Sequence, residues 1–96
     1  MIKHLVLMKF KTDIREDKFL QLEKKLSAIP SQIPEVKGYH FGLDVVRSQR
    51  SYDFGLAADF DDLQSLECYQ NHPEHQKVLS LLKELCEDII AVDFTL

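Results

Sequence analysis

From His4 to Phe10 the chain alternates strictly, with His4, Val6, Met8 and Phe10 on one side and Leu5, Leu7 and Lys9 on the other. A period of two is that of a strand. Both faces of this strand carry apolar groups, so whatever sheet it joins must be covered on both sides. That requirement constrains the fold more than any other feature of the chain.

The remaining periodicities supply one cover. Asp13 and Glu16 have capping-box spacing, and Phe19, Leu22, Leu26 and Ile29 then recur at helical intervals. Pro30 and Pro34 are expected to end that helix and hold the connection extended. A second strand is predicted from about Val36 to Val46, with Tyr39, Phe41, Leu43 and Val45 on one face. Gly38 and Gly42 within it mark a bend, a bulge or close approach by another backbone. Beyond the polar turn Arg47–Ser51, alternation from Tyr52 to Phe60 predicts a third strand, the hairpin partner of the second.

Asp61 and Asp62 open a second helical pattern that carries Leu63, Leu66 and Tyr69 inward. It breaks at His72-Pro73, because proline suits the first position of a new helix and disfavours helical backbone before it. The pattern resumes with Val78, Leu82 and Leu85, and Ile90, Val92 and Phe94 then alternate on a fourth strand.

The order β-α-β-β-α-β, with right-handed crossovers, predicts an α+β fold: a ferredoxin-like subunit with a four-stranded antiparallel sheet and helices on one face. The other face is left bare and apolar, a larger patch than soluble monomers usually expose. Two sheets packed face to face would cover it, so a homodimer is expected. Residues 1–96 read as one domain, since 96 residues lie near the lower limit for independent folding.

Composition narrows the function classes. A hydrophobic fraction of 45% and a charged fraction of 29% are ordinary for a globular chain. A net charge of −4 argues against a nucleic-acid partner, because the lysines are interspersed with acids. No apolar run reaches the ~20 residues that span a bilayer, so no membrane association is expected. The N-terminus passes straight into patterned sequence without a signal-peptide cleavage region. Cys68 and Cys86 both fall in helical patterns and read as small buried hydrophobes of a reducing compartment, which makes the cytoplasm the expected location.

The chemistry concentrates in Tyr69-Gln70-Asn71-His72-Pro73-Glu74-His75, which holds two of the four histidines and a tyrosine. Imidazole is the side chain whose ordinary pKa lies nearest neutrality, so a helix break that gathers these rings suits proton transfer. His75 shares the inward stripe of Val78 and Leu82 and lies in the first helical turn, where the positive helix end disfavours an imidazolium. A neutral His75 is therefore a candidate base, with Tyr69 polarising a carbonyl oxygen. The competing reading is a hydrogen-bonded core histidine. His72 is expected to cap the break, make a dimer contact or reach the cavity rim, and His4 to make a buried hydrogen bond to Asp93 or near His75.

No cofactor is expected, for there is no GxGxxG or P-loop. A metal site built from His72 and His75 with His4 or Asp93 completes no known motif, and the proline spoils its helical spacing. Neither cysteine has a sequence neighbour that would stabilise a thiolate.

Together, Ile2-Lys3-His4-Leu5-Val6-Leu7-Met8-Lys9-Phe10, Tyr52-Asp53, Phe60-Asp61-Asp62, Tyr69-x-x-His72-Pro73-x-His75 and Val92-Asp93-Phe94 resemble the stress-responsive A/B barrel (Dabb) family over essentially the whole chain. The resemblance implies a dimeric α/β barrel. It also implies, from a plant polyketide cyclase of the family, cofactor-free acid–base chemistry by residues matching Tyr69 and His75, with His4 and Asp93 matching further site residues. A small apolar carbonyl-bearing or aromatic ligand is the expected partner. The alternatives are a non-catalytic stress-related oligomer and a cofactor-free monooxygenase-like enzyme.

Overall fold

A computed structural model describes residues Met1–Leu96. The elements are β1 (Ile2–Phe10), α1 (Glu16–Gln32), β2 (Gly38–Leu43), β3 (Phe54–Phe60), α2 (Leu63–Asn71), α3 (Pro73–Leu85) and β4 (Cys86–Thr95). The strands form one antiparallel sheet in the order β2-β3-β1-β4. This is the ferredoxin-like arrangement, with the second helical segment split in two by Pro73.

Alternation decides which side chains meet the helices. Along β3, Phe54, Leu56, Ala58 and Phe60 are buried while the residues between them are half-buried. Ile2, His4 and Met8 of β1 lie on the same inner face, against Leu22, Leu26 and Ile29 of α1 and Val78, Leu82 and Leu85 of α3. From Glu87 onward β4 is exposed, because as an edge strand it lies outside the helical cover. On the outer face, Leu7, Ile90, Val92 and Phe94 stand exposed, and a shallow trough of about 500 Å³ runs between Leu5, Leu7, Ile90 and Val92 over Gly55 and Ala57. Small residues in the middle of that face make it concave. No helix is long and apolar enough to cross a membrane.

Several local expectations are corrected. Pro30 does not end α1 but lies inside it on the exposed side, and the helix runs to Gln32, where the Ile33 N–H donates to the Ile29 carbonyl at 2.9 Å. Buried Ile29 and Ile33 anchor the turn that carries the proline. The Asp13 capping box does not form: Arg15 takes the N-cap position without a side-chain cap, and Glu16 is the first helical residue.

β2 stops at Leu43, short of Val46, because Arg47 adopts a left-handed backbone (φ 57°) and its N–H donates to the Asp44 carboxylate at 2.6 Å. The Arg47 guanidinium also holds Asp53 at 2.7 Å. Val45 and Val46 consequently leave the sheet and are exposed. β3 begins at Phe54, after an Asp53 whose carboxylate accepts the Phe10 N–H at 2.8 Å.

Leu63 and Cys68 are exposed rather than inward, and buried Cys86 opens β4 rather than sitting in a helix. Gly38 is a close approach, for a Cβ there would collide with the Asp59 carboxylate.

Candidate active site

One row of the sheet builds the floor of the site. Tyr39 of β2 is opposite Ala58 of β3, Ala58 is opposite His4 of β1, and His4 is opposite Asp93 of β4. Directly opposed residues of antiparallel strands project to the same face. Tyr39, His4 and Asp93 therefore stand in line on the helix side, and Ala58, the small member of the row, leaves space above itself. Within the row the Asp93 carboxylate accepts a hydrogen bond from His4 Nδ1. His4 is buried, whereas the Asp93 side chain is 34% exposed and forms the rim.

The helix break supplies the roof. Asp62 caps α2 by accepting the Ser65 N–H at 2.8 Å, which sets Leu66 and Tyr69 on the buried side. The His72 N–H closes α2 on the Tyr69 carbonyl at 3.2 Å. His72 then caps α3: its Nδ1 accepts the Glu74 N–H at 3.1 Å, and Pro73 takes the first helical position. Three residues past the cap, His75 is carried inward beside Tyr69, with ring centroids 4.2 Å apart. Tyr69 packs in turn on Phe60 at 4.9 Å and faces His4 at 6.1 Å.

Floor and roof enclose an apolar cavity of about 260 Å³, whose lining includes His4, Tyr39, Tyr69, His75, Leu56 and Ala91. Ligand pockets of drug-sized molecules start near ~300 Å³, so this one suits a smaller compound. The trough on the outer sheet face is larger, but His40 is its only ionisable group.

Electrostatics set the protonation states. His75 Nδ1 lies 3.2 Å from the Gln70 carbonyl oxygen. A carbonyl can only accept, so Nδ1 carries the hydrogen and Nε2 keeps its lone pair in the neutral ring. Burial lowers the His75 pKa, His4 lowers it further, and the Gln70 carbonyl opposes them. Burial pushes the Tyr69 hydroxyl up to about 12, and burial with the neighbouring Tyr69 raises Tyr39 as well. Both phenols are therefore protonated donors at neutral pH. A neutral imidazole with a free nitrogen beside a protonated phenol can remove a proton from carbon while hydrogen-bonding the adjacent oxygen.

Of the residues singled out in the sequence, Tyr69, His75 and His4 line this cavity. Asp93 reaches it through His4, and His72 does not line it but shapes the helix start. Tyr39 and the Gln70 carbonyl are the additions: the Tyr39 hydroxyl lies 2.9 Å from that of Tyr69. Strand alternation put Tyr39 on a face with Phe41, but only the β2–β3 register aligns it with His4. No group of three or more His, Cys, Asp or Glu side chains is placed to hold a metal.

Comparison with known proteins agrees with this architecture. The model of the stress responsive A/B barrel domain, Dabb, matches residues 2–96. An uncharacterized protein of Streptomyces coelicolor is 29% identical over 95% of this chain and 96% of its own length. Olivetolic acid cyclase of Cannabis sativa is 25% identical over 98% of this chain and 95% of its own. The crystal structure of a dimeric ferredoxin-like protein of unknown function from Thermobifida fusca superposes with a TM-score of 0.89 and 35% identity, covering 99% of this chain and 90% of that one. The chain belongs to the stress responsive A/B barrel family.

Proposed function

We propose that this stress responsive A/B barrel domain binds a small carbonyl-bearing or aromatic compound beneath the helix break and moves protons on it without a cofactor. The observation that carries the reading is His75, its Nδ1 turned to the Gln70 carbonyl and its Nε2 left free, lining the same apolar cavity as Tyr69; burial favours the neutral form of both rings. His75 Nε2 takes a proton from a carbon next to a carbonyl, and the Tyr69 hydroxyl donates to the oxygen as the enolate forms. The imidazolium then returns the proton to the rearranged product. Apolar walls keep water from competing for the enolate. His4 touches the ligand from the floor and Asp93 fixes its orientation, while His72 holds the start of α3 so that His75 stays in place. A cyclase among the relatives supports acid–base chemistry in this family.

The functional unit in this reading is a homodimer closed through the outer sheet face, where Leu7, Ile90, Val92 and Phe94 stand exposed. The dimeric state of the Thermobifida fusca relative supports it.

A thermal-shift screen of small aromatic and β-dicarbonyl compounds on wild type, Tyr69→Phe and His75→Ala tests the ligand site. Compounds that stabilise wild type and lose that effect in both variants, whose unliganded melting points stay near normal, are the expected result. No hits, together with a His75→Ala protein that melts many degrees lower, would make the cluster structural and the barrel non-catalytic.

A further inference from the structure

Tyr39 enters the cavity from β2, and nothing in the chemistry above uses it. Its hydroxyl oxygen lies 2.9 Å from that of Tyr69. Two phenols carry two protons; one closes the bond between them and the other stays available. Placement decides which is which. Tyr69 is the ring packed at a tilt against His75 and facing His4, whereas Tyr39 neighbours Tyr69 and Phe41. Burial and the nearby Tyr69 hold Tyr39 the more firmly protonated, and the Tyr39 hydrogen bond eases ionisation of Tyr69. Tyr69, beside His75 and His4, is the ring placed to offer its proton to a ligand.

We propose that Tyr39 is a positioning residue for Tyr69: its hydroxyl donates to the Tyr69 oxygen and leaves the Tyr69 proton for the ligand, so the site selects compounds whose oxygen carries or gains negative charge, phenolates and enolates, over neutral isosteres. This rests on the cavity being a ligand site. A donor that itself accepts a hydrogen bond is polarised by it, and the chain strengthens as charge builds on its far end. Tyr39 thus acts on the charged form of the ligand and little on its shape.

4-Nitrophenol is a suitable probe, because its ionised form is read by visible absorbance, and nitrobenzene serves as its neutral isostere. Affinity and the ionisation midpoint of the bound probe are measured for wild type, Tyr39→Phe and Tyr69→Phe. Wild type is expected to bind 4-nitrophenolate with a midpoint below that of the free compound. In Tyr39→Phe the phenolate affinity falls about three- to tenfold, the worth of one hydrogen bond, and the midpoint moves back toward the free value. Nitrobenzene affinity is unchanged in that variant.

If Tyr39→Phe keeps wild-type phenolate affinity and midpoint while Tyr69→Phe loses both, the Tyr39 role is overturned and the ligand site stands. Equal losses for phenolate and nitrobenzene in Tyr39→Phe reduce Tyr39 to a wall and also overturn it. If neither probe binds wild type, the ligand site fails and takes this inference with it. Should Tyr39→Phe not fold, wild type labelled with ¹³C at tyrosine Cζ gives the same decision by NMR. The Tyr39 and Tyr69 resonances must both move with nitrophenolate, and a Tyr69-only shift overturns the inference.

Discussion

Acidification weakens this fold through His75, and His75→Gln should remove that part of the pH response. In the folded chain His75 is 8% exposed, and burial sets its pKa below the ordinary value of 6.5, with His4 adding to the effect. In the unfolded chain it returns to the ordinary value. The unfolded state therefore takes up a proton near pH 6.5 that the folded state refuses until lower pH. Stability from this residue is fully present above that value, falls as pH drops toward the folded pKa, and levels off below it. The slope cannot exceed about 1.4 kcal/mol per pH unit, so going from about pH 6.5 to about pH 5 removes at most ~2 kcal/mol. Against the total stability of ~5–15 kcal/mol usual for a domain, that is measurable. Urea-unfolding free energies of wild type and His75→Gln across this range isolate the effect, because the other titrating groups are common to both proteins. Only the coupling of His75 to His4 stays within the difference. The variant leaves no orphaned acceptor, since Gln76 Nε2 also donates to the Gln70 carbonyl at 2.7 Å. A pH-independent difference, or a wild type that gains on the variant as pH falls, would refute a neutral buried His75.

Three further substitutions probe the frame around the site. Asp93→Leu takes the acceptor from buried His4; its 34% exposed position lets water compensate in part, so about 1 kcal/mol is lost, seen as a fall in melting temperature of roughly 4–8 °C, and an unchanged melting point would deny the pair a structural role. Leu7→Asp sets a carboxylate in the middle of the outer sheet face, which should weaken dimerisation by more than about a hundredfold while the monomer keeps its circular dichroism; a dimer that persists in sedimentation would move the interface elsewhere. Pro30→Ala restores an N–H for the Leu26 carbonyl inside α1 and should add about 1–2 kcal/mol, read from the urea midpoint, with a loss of stability showing that the helix depends on the proline.

How much was legible varies with the range of the interaction. Alternation in His4–Phe10 and Phe54–Phe60, and the helical spacing of Leu22, Leu26 and Ile29, are local repeats that burial reads directly, and the folded chain follows them. The Tyr69–His75 cluster was visible for the same reason: Pro73 breaks the helix through its own ring and missing N–H. Element ends were less legible. Whether Pro30 stops a helix depends on the hold that buried Ile29 and Ile33 have on the turn, and β2 ends where Arg47 meets Asp44 and Asp53. Exposed Leu63 and Cys68 show that a stripe drawn on a helix does not say where its cover stops.

The amino-acid sequence by itself determined the order of strands and helices, the face each residue shares with its neighbours, the apolar outer sheet surface, and the place where polar rings gather. Each follows from backbone periodicity and the chemistry of a single residue or a short run. Tertiary structure alone decided that Tyr39, Ala58, His4 and Asp93 form one row, that Tyr39 reaches Tyr69, and that the Gln70 carbonyl holds the His75 proton on Nδ1. Strand pairing runs through backbone groups that are alike at every residue, so register comes from packing across the whole sheet. A slip of one position would turn Tyr39 to the outer face, with the local pattern of the chain unchanged.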